Sequence, residues 1–147
     1  MSADRGPDLP ALVPELLVTD LDRSLAFWCG LIGFAVLYDR PDERFSMVKL
    51  GTAAVMLEER QPGARQWLTG PLEPPLGRGI NLQIAVPAVR PILDRLAAAG
   101  WPLFMAAEAK WYRAGAVELG VHQFVVQDPD GYLLRPSEEL GTRPHAG

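Results

Sequence analysis

The first apolar run, Leu12 to Val18, has strand composition, and Asp20 follows it as a side chain able to accept a backbone N–H at a helix start. Leu21, Leu25, Trp28 and Ile32 then recur at helical spacing and predict one apolar stripe facing a sheet, with Gly33 as its stop. Three short apolar or alternating runs come next, Phe34 to Tyr38, Phe45 to Leu50 and Ala54 to Glu58, separated by polar turn residues. That order is β-α-β-β-β. Residues 61–78, rich in proline and glycine, resist regular structure and read as a linker.

The order then begins again. Ile80 to Val86 predicts a strand, Pro87 is tolerated at a helix start, and Val89, Leu93 and Leu96 repeat the apolar stripe up to Gly100. Leu103 to Tyr112, Val121 to Gln127 and Tyr132 to Arg135 supply three more strands, the last two joined by the turn Asp128-Pro129-Asp130-Gly131. Val18 and Val86, like Leu25 and Leu93, stand 68 positions apart, so the halves register against each other. The pattern predicts an α+β fold of two tandem modules, about 12–60 and 79–138, with a disordered tail at 139–147 that carries His145.

Composition narrows the partners. The 147 residues, 48% apolar, suffice for one compact domain or two fused half-domains. A net charge of -4 offers no basic field for a phosphate backbone, so no nucleic acid is expected. No apolar run approaches the roughly 20 residues that span a bilayer. Met1 to Pro10 is too polar for a signal peptide, so a soluble cytoplasmic protein with no membrane partner is expected. Cys29 is the only cysteine; it excludes an internal disulfide and a thiolate metal cluster, and its helical apolar setting reads as a buried structural thiol.

The stretch Val18-Thr19-Asp20-Leu21-Asp22-Arg23-Ser24-Leu25-Ala26-Phe27-Trp28, with Leu31-Ile32-Gly33-Phe34 after it, resembles the opening of glyoxalase and bleomycin-resistance proteins of the vicinal-oxygen-chelate superfamily. Asp128-Pro129-Asp130-Gly131-Tyr132 resembles their closing turn, and the likeness covers roughly residues 12 to 138. It implies a cup-shaped mixed sheet with helices on its outer face, and cups that pair across a homodimer to form a ligand cleft. Metal-dependent members hold their ion at four positions, which the resemblance places at Val13, Asn81, Arg135 and either Leu57 or Glu58. Arg135 is a permanent cation where a carboxylate would be needed, so no metal and no other cofactor are expected.

Side-chain alternation puts Val13, Glu15 and Leu17 on the cup face of the first strand, Asn81, Gln83 and Ala85 on that of the fifth, and Leu133 and Arg135 on that of the last. Gln123 and Gln127 are the polar members of their own run, and one of Trp111 and Tyr112 faces the cup. Glu15, Glu58, Asn81, Gln83, Trp111, Tyr112, Gln123 and Arg135 are therefore the candidate ligand-binding residues. Arg135 serves either to recognise a ligand or to neutralise Glu15 or Glu58. Of the other tryptophans, Trp28 reads as core, Trp101 as a junction residue, and Trp67 as a linker residue that lines the cleft if the linker folds over it.

The leading expectation is a non-catalytic protein that sequesters a polar or cationic aromatic molecule, as bleomycin-resistance proteins do. Those proteins often carry Trp-Gly before the penultimate strand, where this chain has Leu119-Gly120, which argues against bleomycin itself. The alternative is a glyoxalase-type lyase, isomerase or dioxygenase, with a shifted metal site or with Glu15, Glu58 or His122 as a metal-free general base.

Overall fold

A computed structural model describes residues 6–146; Met1 to Arg5, the start of the stretch read against a leader, and Gly147 lie outside the described residues. The chain divides into two compact units between Trp67 and Leu68. Each contains one four-stranded mixed sheet.

The N-terminal unit runs β1 (Glu15–Val18), α1 (Leu21–Phe27), β2 (Ala35–Arg40), β3 (Phe45–Leu50) and β4 (Ala53–Glu59). The sheet order is β1-β4-β3-β2, with β1 parallel to β4 and the other pairs antiparallel. β1 is shorter than its apolar run because Pro14 has no N–H to donate; its carbonyl still accepts from Met56 N at 2.9 Å. Asp20 caps α1 as its position predicts, its Oδ1 accepting from Arg23 N at 3.2 Å. The helix does not run unbroken to Gly33. It widens into a π-helical turn over Trp28–Ile32, closed by Gly33 in the left-handed conformation, and Trp28 meets Phe34 edge to face at 5.1 Å. Ser24 and Phe27 join Leu21, Trp28 and Ile32 on the buried side, while Leu25 is only half-buried.

The C-terminal unit runs β5 (Asn81–Ala85), α2 (Arg90–Ala98), β6 (Met105–Ala114), β7 (Val117–Gln127) and β8 (Leu133–Pro144), in the order β5-β8-β7-β6. β7 begins at Val117, so Leu119-Gly120 lies inside the strand rather than before it. The expected disordered tail is corrected: β8 continues to Pro144 and pairs with β7 down to Val117. His145 is held as well, its N–H donating to Ala116 O at 3.0 Å and Nδ1 lying 2.9 Å from Glu118 Oε2. The linker has no regular element, but it is partly packed: Leu76 is buried, and its N–H donates to Asp130 O at 2.8 Å. Gly131, at φ 106, must lack a side chain there, since a Cβ would stand 2.5 Å from Pro75.

Both units brace their helix in the same way. Glu59, on the strand after the hairpin, accepts Leu21 N at 3.0 Å, and Glu138 on β8 accepts Val89 N at 3.0 Å. A carboxylate at a helix start satisfies a donor that the helix itself leaves open. Leu21 and Val89 are 68 positions apart, the offset already seen in the sequence. Each sheet thus has a helix face, buried around Val18, Val48 and Leu57 in one unit and Ile84, Phe124 and Leu134 in the other, and a far face.

Candidate functional site

Strand register decides which residues share a far face. In the N-terminal unit Glu15 pairs with Met56 and Leu17 with Glu58. Phe45 pairs with Glu58, Met47 with Met56 and Arg40 with Phe45. Glu15 and Glu58 therefore stand on one face, together with Met56, Met47, Phe45, Tyr38 and Arg40. Leu57 pairs with Leu16 and is fully buried on the helix face, so it is no cup residue.

This far face is filled by its own side chains. Phe45, Met47 and Ala54 form a buried cluster, against which Val13, Tyr38 and Met56 pack. The Tyr38 and Phe45 rings lie 5.9 Å apart, and the Arg40 guanidinium stands 3.9 Å over Phe45 while pairing with Glu43. Burial pushes the Glu15 carboxyl above its ordinary range; the Glu58 charge adds to the rise and Arg40 opposes it. Beside Glu58 lies a cavity of ≈ 340 Å³ lined by Asp42, Glu43, Gln61, Ala64 and Arg65.

The C-terminal far face has a different chemistry. Asn81 pairs with Leu133, Gln83 with Arg135, Gln123 with Ser137 and Glu108 with Gln123. Arg135 donates from Nε to Asn81 Oδ1 and from Nη1 to Gln123 Oε1, each at 3.0 Å. Gln123, only 1% exposed, donates from Nε2 to the Tyr112 hydroxyl oxygen at 2.6 Å and to Glu108 Oε1 at 3.2 Å. Five side chains from four strands thus form one network. Asn81, Glu108 and Tyr112 are exposed, and Arg135 is half-buried. Gln83 shares the face and is exposed. The partners of Arg135 here are two amides, where the sequence offered Glu15 or Glu58.

Trp111 belongs to the other face. It pairs with Gly120, and its ring covers that glycine so closely that a Cβ there would meet the indole at 2.6 Å. Arg143, paired in turn with Glu118, stacks 4.2 Å from the ring centroid. Alternation forces the choice: with Tyr112 on the far face, its neighbour points the opposite way. Trp67 is 75% exposed, and Trp101 is tied by Nε1 to Gln127 O at 2.9 Å. Glu108 is the site residue that the sequence reading missed, although it stands four before Tyr112 on an alternating strand and counting by twos would have reached it.

The same register tests the metal positions. Met56 stands opposite Glu15 as Arg135 stands opposite Gln83, so the counterpart of Arg135 is Met56, neither Leu57 nor Glu58. A thioether and a guanidinium are poor hosts for a divalent ion, and the one amide oxygen available at Asn81 already accepts from Arg135. The residues do not fit the superfamily's metal. Among the described residues, no group of three or more His, Cys, Asp and Glu is placed to hold one elsewhere. No helix among them is long and apolar enough to cross a membrane.

Residues 11–135 match the family model of the Glyoxalase/Bleomycin resistance protein/Dioxygenase superfamily. A crystal structure of a superfamily member from Vibrio splendidus 12B01 is 38% identical, over 87% of this chain and 97% of that one, at a TM-score of 0.39. TioX from Micromonospora sp. ML1 is 23% identical over 88% of this chain and 98% of its own, at a TM-score of 0.66. A lactoylglutathione lyase from Agrobacterium tumefaciens is 20% identical over 90% and 95%, at 0.58. The last two likenesses bear on the fold alone. No curated protein matches the sequence. With a family model spanning most of its length, the chain belongs to the glyoxalase/bleomycin resistance protein/dioxygenase superfamily.

Proposed function

We propose that the chain is a cytoplasmic binding protein that holds a small polar aromatic molecule, without a metal and as a homodimer. The observation that carries this reading is the network around Arg135, which ties up the position where metal-dependent relatives need an anionic ligand. The far face of the C-terminal unit supplies hydrogen-bonding groups and one exposed ring, Tyr112, on which an aromatic ligand can rest. Val117, Leu119 and Leu140 are large apolar side chains exposed on the long strands β7 and β8, which favours burial against a second copy.

The test is a tryptophan-fluorescence titration with bleomycin, phleomycin and a panel of aromatic metabolites, beside metal analysis of the purified protein. A saturable response without metal is expected, and stoichiometric bound metal overturns the reading. A second reading, metal-free general-base catalysis, is favoured by the raised carboxyl of Glu15. It requires turnover of a panel compound that disappears in Glu15→Gln.

A further inference from the structure

The hydrogen bonds of the C-terminal far face have a direction that follows from chemistry alone. A guanidinium only donates. Both amides that meet Arg135 must therefore turn their oxygens to it, Asn81 through Oδ1 to Nε and Gln123 through Oε1 to Nη1. Their nitrogens then face away. Gln123 spends its nitrogen on the Tyr112 hydroxyl oxygen and on Glu108. Having accepted that N–H, the Tyr112 hydroxyl must aim its own proton elsewhere, and Tyr112 is 41% exposed.

Nη2 of Arg135 and Nδ2 of Asn81 meet no acceptor among the described residues of this unit. The amide oxygens that meet Arg135 are used internally and its own donors are left over, while the exposed Gln83 amide opposite Arg135 can turn either end to a ligand and Glu108 keeps its free oxygen at the far, nitrogen end of Gln123. We propose that the wall is a subsite for a carboxylate of the ligand, received by Arg135 Nη2 and Asn81 Nδ2, with the Tyr112 hydroxyl donating to a neighbouring ligand acceptor. The inference rests on the small-molecule reading above and fixes the sign of the group that this unit takes.

Three features support it. Gln123 is 1% exposed and held by three partners, so its amide cannot turn over to offer an oxygen outward. Arg135 is half-buried, where a charge-assisted hydrogen bond is stronger than in open water. Glu108, the only carboxylate in the network, meets the nitrogen end of the Gln123 amide, whereas Arg135 meets its oxygen end. An ammonium group placed at Arg135 would meet donors and a like charge.

The test uses three probes with one ring and three charges: indole-3-acetate, indole-3-acetamide and tryptamine. Each is titrated into the full-length protein while the Arg135 Nε–H and the Asn81 side-chain amide are followed by nitrogen-15 NMR. The acetate should shift both resonances and saturate at least about tenfold more tightly than tryptamine, a difference of about 1.4 kcal/mol. Arg135→Met should remove that advantage, and Tyr112→Phe should reduce it by a smaller factor. If Arg135→Met fails to fold, Asn81→Asp keeps the acceptor for Arg135 while placing a negative charge beside it, and acetate binding should fall at least about fivefold.

Tryptamine binding at these resonances as tightly as the acetate overturns the carboxylate subsite and leaves small-molecule binding standing. Shifts confined to other parts of the protein do the same. Silence from all three probes throughout the spectrum overturns the subsite, and silence across the fluorescence panel as well overturns the binding reading.

Discussion

Opposite Glu15 in the N-terminal sheet stands Met56, and opposite Gln83 in the C-terminal sheet stands Arg135. One step further across each sheet, Phe45 stands opposite Glu58 and Gln123 opposite Ser137. Two copies of one module have thus put a thioether and a benzyl ring in one place, and a guanidinium and an amide in the other. The first copy packs its far face into a cluster of Phe45, Met47 and Ala54. The second keeps a directed polar network with exposed members. Duplication has let the two faces diverge: one gains from burying apolar surface, and the other bears the cost of desolvating polar groups to hold them in position.

The sharpest challenge to that contrast is Phe45→Ala. It should cost about 3–5 kcal/mol in urea unfolding and leave carboxylate binding nearly intact. Loss of binding in a folded Phe45→Ala protein would erase the distinction between the faces. Gln123→Ala tests the other side: it leaves a donor of Arg135 and the Tyr112 hydroxyl without their partner, and should cost about 1–3 kcal/mol while abolishing the acetate response.

Within the N-terminal unit, two carboxyls respond to acid in opposite directions. Arg44 and the Leu21 N–H hold the Glu59 carboxyl below its ordinary range, so the stability it lends is present above the unfolded value of 4.5 and is lost as pH falls below it. Melting temperatures from pH 7 to pH 3 should fall less steeply in Glu59→Gln than in the parent. The smallest effect is expected at Glu15, whose carboxyl is raised by burial and by Glu58. Here the sign reverses: stability is fully present below pH 4.5 and declines as pH rises through the folded value. Glu15→Gln should raise the melting temperature slightly at pH 7 and leave it unchanged at acid pH.

Much of the architecture was legible because its signals are local. The Asp20 cap, the Gly33 and Gly100 stops and the Asp128 to Gly131 turn each depend on a few adjacent residues. The polar far face was legible too, since Asn81, Gln83 and Arg135 follow from counting by twos along single strands. What sequence alone could not supply was register between strands. Leu57 and Glu58 differ by one step, and only the pairing of Leu16 with Leu57 shows which faces the helix. The choice between Trp111 and Tyr112 needed Gly120 on the neighbouring strand, whose missing side chain makes room for the indole. The continuation of β8 past Pro136 was hidden by composition, because Ser137, Glu138 and Glu139 look like loop residues until β7 is seen beside them.

The order of donors and acceptors around Arg135 bears on how this surface could evolve. Asn81 and Gln123 are reversible parts, since an amide rotated by half a turn exchanges its donor for its acceptor. Arg135 alone fixes Asn81, whereas Arg135 and Glu108 together fix Gln123, one at each end of its amide. Exchange of that cation for a carboxylate would let Asn81 reverse, but Gln123 could follow, and pass the reversal on to the hydroxyl of Tyr112, only if Glu108 gave way to a donor; the two exchanges together would turn a wall that solicits anions into one that solicits cations. Selectivity of this kind rests on two codons, those of Arg135 and Glu108, and the amides and hydroxyl between them can follow without changing.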